Sequence, residues 1–399
     1  MSFAGPESLN HANVPRPPTW LPSGWRPQTV VDPAYVAELR SRQARLREAF
    51  GTLDGVATVE QPHLRYLTGY STIAPGKAAL LVTAEGAYLA VSESELGRAL
   101  SACAVDEIHV FGWDEPVDVE GWLRKAEYSS TLDRVLCEWN GTVLGHNSSA
   151  DERVVGGVID KLRFETSEWE AARMRGAARA TKAGVEAALA QAGSRAATDA
   201  TIAAAAITAM IDDSGYECPP VTVVGIDEGA GIAHSQWGRR RLTPGSVAFL
   251  EFSGGFDGYC APVMRTIVRE PVKDDVRFLF GKVEAILDIL HQEVRPGARC
   301  SDVAAKCTRE LVDVSGVLFH YNYGYPVGIF DGTPLWMNGT EFYITENNDA
   351  VFRPGMTFHH PISLRRFGQY AVGQSQTVRV TDSGVEVLTS DVPAGLLRA

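Results

Sequence analysis

Residues 242–266 read LTPGSVAFLEFSGGFDGYCAPVMRT, and this stretch decides the fold. An apolar run ends near Glu251, a glycine-rich turn follows, and a second strand-like run closes on Arg265 and Thr266. Two such runs joined by a Gly-containing turn predict a β-hairpin. A catalytic hairpin can carry a pair of metal-binding carboxylates, whereas this one carries Glu251 and, eleven residues later, Pro262.

The composition sets the broad class. A chain of 399 residues predicts two domains, and 45% hydrophobic with 22% charged residues is typical of a globular protein. No run of eighteen apolar residues occurs, so we expect no membrane-spanning helix. The net charge of −12 argues against nucleic-acid binding, which needs clustered Lys and Arg. The cysteines show no CxxC pairing, which favours reduced, buried thiols in a cytoplasmic protein.

Three regions follow one another along the chain. Residues 1–32 are Pro-rich and polar without the apolar centre of a signal peptide, which indicates either an arm lying on a surface or neighbouring subunit, or disorder. Alternating strand and helix patterns predict an α/β domain over residues 33–157, and Asp32 is a candidate N-cap for its first helix. Residues 158–399 form a second domain that begins with a long Ala-rich helix capped near Ser167 and continues with strands and helix pairs.

Four segments, in this order, carry a family resemblance. They are HLRYLTGY (63–70), LRFETSEWEAARMRGAARATKAGVEAAL (162–189), the opening stretch (242–266), and FRPGMTFHHPISL with GQSQTVRVTDSGVEVLT (352–364 and 373–389). Together they resemble the creatinase/aminopeptidase P/prolidase superfamily from about residue 35 onward. The resemblance implies a mixed α/β (α+β) chain, with a creatinase-type amino-terminal α/β domain and a carboxyl-terminal pita-bread catalytic domain.

The resemblance also implies five metal-ligand positions, which here hold Glu251, Pro262, Tyr325, His360 or Pro361, and Ser375 or Gln376. A dinuclear centre needs several carboxylates, and one is present. We therefore expect no metal and no other cofactor. A mononuclear site of Glu251, His359 and His360 is disfavoured, because adjacent strand residues point to opposite faces.

Creatinase, a member of this superfamily, hydrolyses a C–N bond with a histidine that lies just before the hairpin. The matching residue is His234, eleven residues before Gly245, and histidine titrates near neutral pH. The alternative is that His234 only orients the substrate or is structural. Glu251 is a candidate general base or acid, or else a buried carboxylate paired with a local arginine such as Arg265. His360 is favoured over His359 to face the pocket, which gives the catalytic set His234, Glu251 and His360.

The substrate pocket differs from that of creatinase. The two positions where creatinase holds a guanidinium with glutamates are Met264 and Ser375, so creatine is not the expected substrate. The pocket suits neutral or anionic groups, and its candidate binding residues are Tyr259, His320, Tyr323, Tyr325, His359 and Arg366. The resemblance further implies a homodimer with the site near the subunit boundary. Lys77 then either reaches the partner's substrate or is a solvated lysine.

Three functions stay open at this point. The first is a metal-independent hydrolase of an amide, amidine or cyclic amidine C–N bond in a small amino-acid-derived molecule. The second is a lyase, decarboxylase, dehydratase or isomerase on the same scaffold, since a carboxylate and histidines also suit proton abstraction. The third is a catalytically silent binding protein.

Overall fold

The structure is a computed structural model, and it describes residues 32–72, 76–112, 121–122, 134–138, 142–144, 157–220, 222–330 and 341–399. The predicted arm, apart from residue 32, lies outside the described residues. The chain divides into two compact units, with the boundary between Arg163 and Phe164. In the described part of the chain, no helix has both the length and the apolar character needed to cross a membrane.

The amino-terminal unit is built on a mixed six-stranded sheet. Its strands are β1 (Gly55–Thr58), β2 (Ala78–Thr83), β3 (Ala87–Ser92), β4 (Glu107–Phe111), β5 (Val135–Cys137) and β6 (Thr142–Leu144), in the order β4-β3-β2-β1-β5-β6. Its described helices are α1 (Pro33–Glu48), α2 (Gln61–Thr68), α3 (Leu96–Ala102) and α4 (Val158–Arg163). The predicted cap of α1 is present, since the Asp32 side chain accepts a hydrogen bond from the Ala34 amide at 2.9 Å.

The carboxyl-terminal unit contains four long helices among its described residues. They are α5 (Glu168–Ala192), α6 (Asp199–Ser214), α7 (Asp274–Glu293) and α8 (Cys300–Arg309). Helix α5 starts at a capping box in which Ser167 and Glu170 exchange side chain-to-backbone hydrogen bonds, as the sequence indicates. Helices α5 and α6 approach closely at Gly184, where an added Cβ would lie 2.6 Å from the Met210 side chain.

Two four-stranded sheets and a short hairpin complete this unit. One sheet has the order β16-β11-β8-β7 and the other β12-β13-β14-β15, while β9 and β10 pair with each other. The strands are β7 (Val223–Ile226), β8 (Val247–Phe252), β9 (Gly255–Phe256), β10 (Tyr259–Cys260), β11 (Val263–Val268), β12 (Tyr325–Pro326), β13 (Thr357–Arg366), β14 (Tyr370–Thr381), β15 (Gly384–Val387) and β16 (Leu397–Arg398). The predicted hairpin is confirmed, with Glu251 on β8 opposite Met264 on β11.

Alternation along β8 sends its side chains to two different cores. Leu250 and Phe252 join a cluster with α5 and α6, whereas Phe249 packs in a smaller apolar cluster on the other face. That smaller cluster spans both sheets and contains Val223, Ala230, Phe249, Met264 and Ala371. Glu251 lies on the same face as Phe249, so its carboxyl group lies in the layer between the two sheets.

Alternation along β13 also directs its side chains to two different faces. Phe358, Ile362 and Leu364 pack in the large core that includes α7 and α8. His359 and Arg365 therefore lie on the opposite face, toward β8 and β11. The predicted α/β class is confirmed, and its second unit places the candidate site between the two four-stranded sheets.

Candidate functional site

Glu251 is a buried carboxyl group with apolar neighbours. Its cross-strand partners are Val223 on β7 and Met264 on β11, and the residue is 6% exposed. It makes no hydrogen bond with any described residue, and the positive charge of Arg365 favours its ionised form. Burial raises the pKa of Glu251 to about 7, and the charge of Arg365 moderates that rise. Glu251 can therefore both accept and donate a proton near neutral pH.

Arg365 is the cation that acts on Glu251. It is 3% exposed, its guanidinium carbon lies 4.5 Å from the centre of the Phe249 ring, and its Nη1 donates to the Ala230 carbonyl at 2.7 Å. Burial lowers the pKa of Arg365, and the charge of Glu251 opposes that shift. Arg365 is not among the predicted site residues, although it lies an even number of residues from His359 on β13 and therefore shares its face.

Arg366, the arginine predicted to bind substrate, does not face this site. Its Nε and Nη2 donate to the two carboxylate oxygens of Asp275 at 3.0 and 2.7 Å, in a partly exposed ion pair. The prediction that Arg366 binds substrate is corrected for this reason. Adjacent residues on a strand point to opposite faces, so Arg366 faces away from the site that Arg365 faces.

His320 and His234 extend the charged groups toward solvent. Leu318 and Arg365 exchange backbone hydrogen bonds at 2.8 and 3.2 Å, which holds the segment leading to His320 against the end of β13. Both histidines are exposed. The pKa of His320 is lowered by partial loss of water and by the positive charges of Arg365 and His234. Electrostatic interactions thus connect Glu251, Arg365, His320 and His234, a set named here the acid–base row.

The loop that carries His234 is held by close packing. An added Cβ at Gly231 would lie 2.6 Å from the Arg366 carbonyl oxygen, so only glycine fits this approach. The same loop supplies the Ala230 carbonyl to Arg365. His234 has a φ of 56°, a left-handed conformation that is uncommon for residues other than glycine. Such backbone outliers cluster at functional sites, which supports the prediction for His234.

His359 contacts Tyr325 and Ser375, two of the residues at the positions that the resemblance assigns to metal ligands. Its side chain is fully buried, with Nδ1 at 2.8 Å from the Tyr325 hydroxyl and Nε2 at 2.6 Å from the Ser375 hydroxyl. Burial, followed by the charges of His360 and Arg265, holds the pKa of His359 well below its usual value. A neutral imidazole has one donor and one acceptor, and both are used here. Its lone pair is therefore not available to a metal ion without loss of a hydrogen bond.

The residues at the five ligand positions do not fit a dinuclear metal centre. Pro361 lies directly opposite Ser375, and it is Pro361 rather than His360 that shares the face of His359. Prolines have no side-chain ligand, and the Tyr325 and Ser375 hydroxyls bond to His359. Glu251 is the one carboxylate in the set, and no group of three or more His, Cys, Asp or Glu side chains suited to a metal occurs in the described residues.

His360 points away from the acid–base row. It is fully buried, it lies near Gly324, its ring centre is 6.4 Å from that of Phe358, and neither ring nitrogen has a hydrogen-bond partner among the described residues. Burial, with a smaller contribution from His291, lowers the pKa of His360 to about 3. The prediction that His360 acts in catalysis is corrected, because strand alternation directs it into the core beside α7.

The tyrosines that the sequence analysis selected have different positions. The Tyr259 hydroxyl donates to Glu170 on α5 at 3.1 Å, and the Tyr323 hydroxyl lies 2.9 Å from Thr308 on α8, so these two make structural contacts. Tyr325 does reach the site through His359.

Lys77 and Arg265 are the two remaining basic residues of the predicted site. Lys77 precedes β2 in the amino-terminal unit, and its role in a partner's site stays a prediction. Arg265 donates to the Met264 and Ser375 carbonyls, both at 2.8 Å. The alternative that Glu251 pairs with Arg265 is therefore wrong, since Arg365 is the cation that influences Glu251.

Comparison with known proteins places these features in a family. Residues 172–383 match the model of metallopeptidase family M24, and residues 40–163 match the creatinase/prolidase N-terminal domain. An uncharacterized hydrolase/peptidase, y4tL, of Sinorhizobium fredii is 26% identical over 84% of this chain and 90% of its own. A second one from the same organism, y4tM, is 31% identical over 58% of this chain and 59% of its own.

Solved structures share the fold. The Xaa-Pro dipeptidase from Bacillus anthracis superposes with a TM-score of 0.75 at 18% identity, over 90% of this chain and all of its own. The dipeptidase PepE from Mycobacterium ulcerans superposes with a TM-score of 0.73 at 20% identity, over 91% of this chain and 98% of its own. These likenesses confirm the predicted two-domain fold with a pita-bread second domain.

The buried, neutral His360 predicts a loss of stability in acid. Its folded pKa lies below its unfolded value, so the unfolded state binds more protons once the pH falls below about 6.5. Each such histidine then costs about 1.4 kcal/mol of unfolding free energy per pH unit, until the pH approaches the folded pKa. Denaturant unfolding from pH 7 to pH 4 should show a shallower acid decline for His360→Leu than for the wild type. Phe358→Leu, a core change on the same face, should lower stability without altering the slope; equal slopes for His360→Leu and the wild type would contradict the assignment.

Proposed function

The chain belongs to metallopeptidase family M24, and we propose that within this family it is a hydrolase that works without a metal ion. The proposed reaction opens a carbon–nitrogen bond, of the amide, amidine or cyclic amidine kind, in a small molecule derived from an amino acid. The observation that carries the proposal is Glu251, a buried carboxyl without a hydrogen-bond partner in the described residues and with a pKa raised to about 7. A general base works best when its pKa lies near the operating pH.

The proposed mechanism uses the acid–base row from its buried to its exposed end. Ionised Glu251 accepts a proton from water, whose oxygen attacks the carbon of the C–N bond. Arg365 keeps part of the Glu251 population ionised, because its positive charge opposes the effect of burial. His234 donates a proton to the departing nitrogen, so the bond breaks with net addition of one water molecule. His320, whose pKa is lowered, can pass a proton between the site and solvent.

The surroundings of Glu251 support a substrate without a buried guanidinium. Met264 is directly opposite Glu251, and Ser375 is committed to His359 and to the Met264 amide. A guanidinium placed there would have one carboxyl group, Glu251, as counter-charge, and burial favours the neutral form of that group. The site therefore favours neutral or anionic groups next to the scissile bond.

A second candidate function is a lyase, decarboxylase, dehydratase or isomerase. The apolar neighbours of Glu251, namely Val223 and Met264, support it, because a poorly solvated carboxylate also suits proton abstraction next to a carbonyl. Product mass separates the two candidates, since hydrolysis adds one water across the products. A binding protein without activity would give no product. Homodimerisation, a cytoplasmic location and the role of Lys77 stay predictions.

Replacement of Glu251 tests the proposed base. A panel of amino-acid-derived amides, amidines and cyclic amidines is screened by mass spectrometry, and kcat/KM is then measured against pH for the best substrate. The wild-type value should rise with pH through an apparent pKa near 7, because ionised Glu251 is the active form. Glu251→Gln should lower kcat/KM by about 10²- to 10⁴-fold, and His234→Gln should lower kcat.

The matched control for that experiment is Glu386→Gln, which removes a surface carboxylate paired with Arg175. It should leave both the rate and the pH profile unchanged. Full activity of Glu251→Gln, or an unaltered acid limb in that variant, would exclude Glu251 as the base.

Metal analysis tests the proposal that the enzyme works without a metal ion. Purified protein should contain far less than one equivalent of Mn, Fe, Co or Zn per chain by elemental analysis. Incubation with EDTA should leave the rate unchanged, and added Mn²⁺, Co²⁺ or Zn²⁺ should not raise it. Stoichiometric metal, together with loss of activity to the chelator and recovery on metal addition, would overturn the metal-independent mechanism.

A further inference from the structure

Arg365 is a buried cation without a full counter-charge. Its side chain forms no ion pair with a carboxylate in the described residues, and Glu251 influences it only through the longer-range attraction of opposite charges. Arg265 in the same unit is similarly buried but donates to four backbone carbonyls, those of Met264, Ser375, Val392 and Pro393. Arg365 donates to one, that of Ala230. Burial of an incompletely paired charge is unfavourable, so a further partner would stabilise it.

The unused donors of Arg365 lie along one edge of the guanidinium. Nη1 donates to the Ala230 carbonyl. Among the described residues, neither the buried Nε nor Nη2 has a hydrogen-bond partner. Nε and Nη2 share an edge, and that edge matches the two oxygens of a carboxylate in a bidentate pair. The Phe249 ring under the guanidinium and the Ala230 carbonyl hold the group in one orientation.

The charges around Arg365 also favour an anion. Arg365 is close enough to His320 to lower the pKa of that histidine, and among the described residues Glu251 is the one acidic group that acts on Arg365. The facing side chains on β7 and β11, Val223 and Met264, are apolar and supply no negative charge. The buried part of the site thus combines the positive charge of Arg365 with a carboxyl group whose burial favours its neutral form, in a poorly solvated space where a ligand charge is strongly felt.

We propose that Arg365 anchors an anionic group of the substrate, a carboxylate, at the buried end of the acid–base row. The anchor would place a carboxylate-bearing molecule with its C–N bond between Arg365 and Glu251, which deepens the proposed function by naming the substrate class. The inference takes the ligand to be the substrate and in that respect rests on the proposed function. Anion binding at Arg365 itself does not depend on which reaction follows.

Paired probes that differ by one charge test the anchor. Binding of N-acetylglycine and of its neutral amide, and of acetate and acetamide, is measured by calorimetry or ligand-observed NMR on the full chain. Each carboxylate should bind about tenfold or more tightly than its amide, and the difference should persist in added NaCl because the site is buried. This comparison uses the wild-type protein alone, so it does not depend on the folding of any variant.

Variants then assign the effect to Arg365. Arg365→Gln should abolish the preference for the carboxylate, whereas Arg365→Lys should retain part of it because the charge is kept. Glu251→Gln should tighten carboxylate binding, since it removes the group that competes for Arg365. Arg366→Gln is the matched control, because its side chain pairs with Asp275 at the surface, and it should bind as the wild type does.

Two results would overturn the anchor. One is equal binding of carboxylate and amide by the wild type, or binding of neither. The other is an effect of Arg366→Gln as large as that of Arg365→Gln, which would indicate a general change of surface charge. The proposed function is tested separately by turnover, so a protein that binds carboxylates but hydrolyses nothing would refute the reaction and leave the anchor standing.

Discussion

The attraction between Glu251 and Arg365 across the apolar layer between two sheets is the interaction on which the site depends. Each group is poorly solvated, and each shifts the pKa of the other toward the charged form. Three elements converge to create it: β8 carries Glu251, β13 carries Arg365, and the loop through Ala230 fixes the guanidinium. Because the two groups do not form a close ion pair, both keep the capacity to act on a third molecule. The fold thus maintains two reactive groups that a simple salt bridge would neutralise.

The residues around His359 accompany this pair. The family name metallopeptidase implies a metal, whereas the positions that the resemblance assigns to metal ligands hold Glu251, prolines and hydroxyls, and the hydroxyls contact His359. His359 is neutral and uses both ring nitrogens, so it joins β12, β13 and β14 where a cation would otherwise do so.

Much of the architecture follows from local sequence, whereas the positions of the site residues depend on which face of a strand each occupies and on long-range contacts. The Asp32 cap, the Ser167 capping box and the hairpin are local, and the structure confirms them. The sequence already contains the alternation of β13, because Phe358, Ile362 and Leu364 are apolar residues at even-numbered positions. His360 shares their face and lies in the core. His359 and Arg365 lie on the opposite face. The Arg265 contacts with carbonyls over a hundred positions away carry no local signal, so its separation from Glu251 was not predictable.

The central proposal is that Glu251 is the acid–base group of this site. The most direct test is the pKa of Glu251 itself, measured by infrared difference spectroscopy of the ¹³C-labelled carboxyl groups in the wild type and in Glu251→Gln. A carboxylate band that titrates near pH 7, is absent from Glu251→Gln, and moves to higher pH in Arg365→Gln is the predicted result. A Glu251 band that titrates at the ordinary value near 4.5, or that ignores the loss of Arg365, would contradict the account.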